Sequence, residues 1–407
     1  MKARKTCTLV LGLIFSGCLV GCADKPAPLD KEKPRAADRE SSTEETKPAA
    51  GGPTEKGTVA ESAAGQSTGR DALTATPDPS VIAAWEEAGA EFGWCGVHEP
   101  AWLMWRSAGK PLLPNDMATF QFNWGSQRPS VKELPPPGIP YAIVVLGANE
   151  AWLEELVELE ELQTLGLVGP EVTDAGSKVL ANLKQLQMLY LRNTQVTDAG
   201  LSNLVGLTQL THLFLGQAQV TDGGLKHLAE MAQLQRLDLY GTQVTDAGLK
   251  ELAQMTQLQS LGLFETQVTD EGLKELAGME LEILHLPRRA LTDVGLRHYL
   301  AAIRHPKCLV LSSWEVTDAG LKELAQLTEL RELFLIGTQV TDTGLKDLAN
   351  MKQLRSLALG RTRVTDAGLD DLAGMTQLHS LFLQQTQVTE AGVRKLQQAL
   401  PNCKIVH

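Results

Sequence analysis

The sequence predicts an α/β solenoid, with a parallel β-sheet on a concave face, helices on the convex face and one apolar core between them. Three observations predict it. A five-residue string, Val-Thr-Asp-Ala-Gly or a close variant, starts at Val172, Val196, Val220, Val244, Val268, Leu291, Val316, Val340, Val364 and Val388. Its spacing is 24 residues, except for 23 and then 25 around Leu291, which restores the period. Leucines alternate before each string as in a half-buried strand, and recur at helical spacing after it.

One unit shows the mechanics. In Leu186-x-x-Leu189-x-Leu191 the alternate side chains face one side. Thr194 and Val196 close the turn. Asp198 is expected to cap the next helix or to favour its positive end. Gly200 lets that helix approach its neighbours closely, and Leu201, Leu204 and Leu207 face back to the strand. A single unit cannot bury its own apolar face, so the units must stack and share a core. Helices are wider than strands, so the stack curves. Near the end, Ile405 falls where the next strand's Leu would lie, and predicts a closing strand.

These residues resemble the leucine-rich-repeat family and its L-x-x-L-x-L-x-x-N-x-L signature. Thr194, Thr242, Thr266, Thr338, Thr362 and Thr386 stand at the usual Asn or Cys position. The Val-Thr-Asp-Ala-Gly-Leu segment is similar to the cysteine-containing subclass of F-box substrate receptors, and to ribonuclease inhibitor. The resemblance covers residues 162–400 and implies a horseshoe-shaped solenoid of about ten repeats over residues 162–407. Residues 23–161 show no F-box. Fold carries over from such a resemblance, and function does not.

The N-terminus reads as an address. Met1–Lys5 is basic, and Thr6–Val20 is apolar but too short for a comfortable membrane span. Residues 1–21 thus read as a signal peptide. Leu19-Val20-Gly21-Cys22 resembles the lipobox of bacterial lipoproteins, which implies a lipid anchor on Cys22 and a place in the bacterial cell envelope. Ala23 stands where an Asp would signal inner-membrane retention, so the outer membrane is favoured. Residues 22–80 then form a linker. After Cys22 it contains no Phe, Trp, Tyr, Ile or Met and cannot bury enough apolar surface to offset the entropy of ordering. As a coil its reach is roughly 40–45 Å.

Residues 81–161 read as an irregular N-terminal cap on the solenoid, since an end repeat must cover the first apolar layer. Helices are expected at Val81–Ala90 and Ala151–Leu159, and strands at Ala118–Asn123 and Tyr141–Leu146. Five of the seven Trp lie between Trp85 and Trp124, so a separate Trp-based binding domain is the alternative.

The formal charge is −12, and becomes −15 once a leader carrying Lys2, Arg4 and Lys5 is removed. Such a surface repels nucleic acid, which needs clustered Lys and Arg. The eight histidines show no metal-ligand spacing, and Cys95, Cys308 and Cys403 form no C-x-x-C pair. There is no Gly-rich phosphate loop and no G-x-S-x-G elbow. No cofactor, no metal and no enzymatic activity are expected.

What remains is binding. Side chains alternating with the strand leucines point onto the concave face. Six of the seven Phe and Tyr residues between Leu162 and Leu400 fall there: Tyr190, Phe214, Tyr240, Phe264, Phe334 and Phe382. Tyr299 does not. Aromatics favour strands, but a row of exposed aromatics on a polar surface marks binding. Arg192, His212, Arg236 and Asp238 surround the first four. The mixture suits a protein partner; a glycan, stacking on the aromatic row, is the alternative. Residues 285–307 add a basic patch of Arg288, Arg289, Arg297, Arg304 and Lys307 against Asp293 alone.

Overall fold

The computed structural model describes residues 75–98, 102–108, 116–123 and 130–407. The leader, Cys22, nearly all of the linker and Trp124 lie outside the described residues. What is described is an α/β repeat solenoid with parallel strands, and its sheet does not close into a barrel.

The chain begins with helix α1 (Pro79–Glu87), capped by Asp78, and strands β1 (Ala90–His98), β2 (Trp102–Ser107), β3 (Met117–Asn123) and β4 (Tyr141–Leu146). A short helix α2 (Glu150–Leu153) runs into a 3-10 turn, Glu154–Glu158. The sequence reading finds β3, β4 and both helical segments but not β1 and β2, where Gly93, Gly96 and clustered Trp hide the strand alternation. β1 pairs antiparallel with β2 and β3, while β3 pairs parallel with β4, and β4 with β5 (Leu162–Val168). The N-terminal segment thus extends the same sheet as the repeats. Its tryptophans Trp85, Trp94 and Trp152 are buried. Trp85 stacks on Phe120 at 4.3 Å and donates its ring N–H to the Pro135 carbonyl at 2.9 Å.

The repeats follow as strand–helix units: α3 (Asp174–Leu180), β6 (Met188–Arg192), α4 (Asp198–Leu204), β7 (His212–Phe214), α5 (Asp222–Ala229), β8 (Arg236–Asp238), α6 (Asp246–Leu252), β9 (Ser260–Gly262) and β10 (Ile283–His285). These strands pair in parallel with no register slip, so Leu189, Leu213, Leu237 and Leu261 line up and are buried. On the helical side Leu201, Leu225 and Leu249 close the same core. After β5 to β9, but not after β10, the chain turns through the left-handed region, at Gly241 (φ 62°) and also at Asn193 (φ 55°) and Gln217 (φ 61°). There the N–H of Asn193 donates to the Gly216 carbonyl at 2.8 Å, and that of Gly241 to the Phe264 carbonyl at 2.9 Å.

The repeated Asp does not cap its own helix. Thr197 does so, accepting the Ala199 N–H at 3.2 Å. The carboxylate of Asp174, one repeat earlier, receives the Thr197 N–H at 2.8 Å and its hydroxyl at 2.7 Å. The same pair of bonds joins Asp222 to Thr245, Asp246 to Thr269 and Asp318 to Thr341. The glycine two residues after each such Asp has a definite reason. A Cβ at Gly200 would collide with the Asp174 carboxylate and the Val196 side chain. The Thr at the Asn position closes its own turn: Thr242 donates to the Leu239 carbonyl at 2.7 Å. Bonding between repeats at the helix entry therefore falls to the Asp–Thr pair.

The solenoid breaks once among the described residues. β10 pairs with β9, and β11 (Cys308–Val310) pairs with β12 (Glu332–Phe334), but β10 and β11 lie in different sheets. A second sheet continues through β13 (Ser356–Ala358), β14 (Ser380–Phe382) and the closing strand β15 (Lys404–Val406). Helices α7 (Asp293–Ala302), α8 (Asp318–Leu324), α9 (Asp342–Leu348), α10 (Asp366–Leu372) and α11 (Glu390–Ala399) accompany these units. The apolar core divides at the same place. Locally the Asp–Thr pairing is reduced: Thr292 gives Asp270 its hydroxyl at 2.6 Å, while the other Asp270 oxygen takes the N–H of adjacent Glu271 at 3.0 Å. The helix after Asp270 tightens to a 3-10 turn, Gly272–Leu276.

Candidate functional site

The open face of the first sheet, away from the helices, carries two separate groups of the expected residues. In the first, Tyr190 and Phe214 are cross-strand neighbours whose rings stack at 4.1 Å and 2°. Both are buried, at 6% and 4% exposure, which corrects the expectation of an exposed aromatic row. The physical reason is the strand spacing. Parallel in-register strands about 4.8 Å apart press successive rings face to face. The Cys95 thiol of β1 acts on the ionisation of the Tyr190 hydroxyl. Burial, the largest cause, pushes that hydroxyl well up. His212, half-buried beside Phe214, is pushed down to about 4 by burial and by the Arg236 charge.

The second group is open to solvent. Tyr240 and Phe264 occupy the strand-exit positions of neighbouring repeats and stack at 5.9 Å and 8°. The Arg192 guanidinium lies over the Tyr240 ring, 5.6 Å from its centre. It reaches there past Gly216, the intervening residue in that row, which has no side chain to block it. Phe264 is 49% exposed, the most open of the large hydrophobic residues described. Asp238 stands between Phe214 and Gly262 across the strands. Its carboxylate lies over Gly262, where a Cβ would collide with Oδ1, and that oxygen accepts the Tyr240 N–H at 3.2 Å. Burial pushes the Asp238 carboxyl up to about 6, opposed by that N–H and by Arg192.

Beside this group is a cleft of about 470 Å³, where β10 and β11 fail to pair. It is lined by Asp238, Tyr240 and Phe264 from the units of β8 and β9, by Leu284, His285 and Leu286 from β10 and the residue after it, and by Tyr299, Val310 and Trp314 from α7 and the unit of β11. Tyr299 meets Trp314 edge-to-face at 5.5 Å, and both pack against the two halves of the core. Trp314 shows in the sequence only as an interruption of the Thr row: it stands two residues before Val316, where six other repeats have Thr. Tyr299, the one aromatic off the expected row, is its partner.

Phe334 and Phe382 belong to the second sheet. Phe334 is buried at 2% exposure, again against expectation, and Phe382 is half-buried. The basic patch is partly neutralised, since Arg297 pairs with Glu323 at 2.9 Å and Arg304 with Glu282 at 3.2 Å. Among the described residues no group of three His, Cys, Asp or Glu side chains is placed to hold a metal ion, and no helix is long and apolar enough to cross a membrane.

A family model described as a leucine-rich repeat matches residues 233–253, one unit from the end of the α5–β8 turn through α6. No curated protein matches the chain. Among solved structures, it is similar to an internalin from Listeria monocytogenes, with 23% identity, 65% of this chain and 86% of that one covered, and a TM-score of 0.44. It is also similar to a leucine-rich-repeat protein from Leptospira interrogans, with 17% identity, 68% and 93% covered, and a TM-score of 0.38.

Proposed function

We propose that this chain is a non-catalytic binding protein of a bacterial envelope, anchored through a lipidated Cys22, and that a protein partner docks on the open face of the first sheet around Tyr240 and Phe264. The observation that carries the reading is Phe264, a half-exposed ring stacked on Tyr240 at the lip of a cleft. A large hydrophobic side chain held rigid and left in water costs solubility, and gains its value when a partner covers it. Arg192 and Asp238 beside it supply polar contacts that fix orientation. Of the residues expected to bind, Tyr190, Phe214 and Phe334 become supports of the surface rather than contacts, because they are buried.

The test begins with cross-linking in the native envelope, followed by titration of the captured protein. Phe264→Ala and Tyr240→Ala should each weaken binding by about 2 kcal/mol if they are hot spots. Lys250→Ala, on the exposed side of α6, should leave affinity unchanged. Equal affinity across all three variants would sink the docking site, and binding of purified cell-wall polymer without any protein partner would favour the glycan reading. The anchor is tested separately: Cys22→Ala should move the protein from the membrane to the soluble fraction.

A further inference from the structure

We propose that the cleft at the β10–β11 break is a receptor for a basic side chain, arginine above all, presented by the protein partner. The proposal rests on the docking reading above and names the chemistry of its central contact. Four aromatic residues, Tyr240, Phe264, Tyr299 and Trp314, and one carboxylate, Asp238, line the cleft. Aromatic faces attract a cation through their quadrupole, and more strongly when it is desolvated. A planar guanidinium stacks on such faces and still directs its N–H groups at a carboxylate in the same plane. An anion would meet Asp238, and a purely apolar group would leave it unused.

Three features of the chain support a cation. The surface already displays the geometry once, in Arg192 over Tyr240, and Phe264 carries that stack on to the cleft. Asp238 spends one oxygen on the Tyr240 N–H, and no hydrogen bond to its other oxygen occurs among the described residues. The chain as a whole is acidic, at −12, and in the basic segment beside the cleft Arg297 and Arg304 are paired with Glu323 and Glu282. The cleft also has a structural cost that the other repeats avoid. It exists because strand pairing is given up between β10 and β11 and because Trp314 replaces the turn-closing Thr.

The test titrates the full chain with N-acetylargininamide and N-acetylcitrullinamide, which exchange a guanidinium for a neutral urea of nearly the same shape. The arginine probe should bind saturably and at least about tenfold tighter than the citrulline probe. Asp238→Asn, which keeps an acceptor for the Tyr240 N–H, should remove most of that preference, and Trp314→Leu should weaken the arginine probe. Circular dichroism checks that both variants fold. Equal binding of the two probes, a preference that survives Asp238→Asn, or no saturation by the arginine probe below about 20 mM each overturns the proposal. The captured partner separates this failure from that of the docking site. Weakening by Phe264→Ala but not by Asp238→Asn would keep the docking site and reject the cation receptor, whereas no effect of either would reject the docking site itself.

Discussion

Asp198 reaches 23 residues forward to Thr221, accepting its backbone N–H at 2.8 Å and its hydroxyl at 2.5 Å. The same hydroxyl accepts the Gly223 N–H at 3.2 Å and so caps α5. One carboxylate therefore sets the start of the next repeat's helix. Hydrogen bonds to a charged acceptor contribute more than neutral ones. Asp198→Ala should destabilise the protein by about 2 kcal/mol in urea unfolding, and Asp198→Asn by about half as much. A loss under about 0.5 kcal/mol for the Ala variant would show that the two bonds do not hold the repeats together.

Phe214 and Phe264 should separate stability from binding. Phe214 is buried under Tyr190, so Phe214→Ala should cost about 3 kcal/mol through the cavity it leaves. Phe264 is half exposed, so Phe264→Ala should cost under about 1 kcal/mol. Parallel denaturation curves compare them, and equal losses would place the two rings in the same environment.

Asp238 and His212 tilt the pH dependence of stability in opposite directions. Burial pushes the Asp238 carboxyl up to about 6 in the fold, against an ordinary 3.8, so the folded chain holds this proton more tightly, and its contribution to stability falls as pH rises from about 4 to about 6. His212 titrates at about 4 against 6.5, so the stability of its buried neutral form is present above about 6.5 and lost as pH falls towards 4. Each is worth at most about 3 kcal/mol, and in the wild type they largely cancel. Asp238→Asn should expose a rise in stability between pH 4 and 6.5, and His212→Gln a fall. Flat profiles in both variants would mean that neither group is perturbed.

Tyr299 and Trp314 join two cores that otherwise divide at the break. The double variant Tyr299→Ala, Trp314→Ala should let the two parts unfold apart, since solenoid cooperativity passes only through neighbour contacts. Adding Leu357→Ala, in the second core, should then shift one transition and leave the other in place. A single shared transition would show that the helix layer and the Asp293–Thr317 bonds couple the parts without these two rings.

Much of this was legible in the sequence, because each unit repeats a local pattern. The strand leucines, the Thr-Asp-x-Gly entry to each helix and the Ile405 strand follow from alternation and helical spacing. What was not legible depends on neighbours one repeat away. From sequence alone Asp198 is next to its own helix, and only stacking brings Thr221 to its carboxylate. Alternation says that Tyr190 leaves the leucine core, but not that its ring then stacks face to face on Phe214 and is buried there. The strands β1 and β2 escape because Trp94 and Trp105 sit in segments without clear alternation. Trp314 is an interruption of the Thr row that the sequence displays openly, yet its meaning requires the unpaired strands beside it.

The left-handed turn shared by the regular units has an evolutionary consequence. Gly241 and Gln217 donate to the repeat ahead across the same span as Asn193 does, and each Asp–Thr pair within the regular units spans 23 residues. Bonding partners are thus interchangeable among the regular units. Unequal recombination that duplicates or deletes whole 24-residue units re-forms every link, whereas a shift by another length disturbs the links that span it, as at Asp270, which keeps only the Thr292 hydroxyl. Tyr240, Phe264, Tyr299 and Trp314 belong to the four successive units from β8 to β11, so whole units can be gained or lost further along either sheet with the cleft left intact.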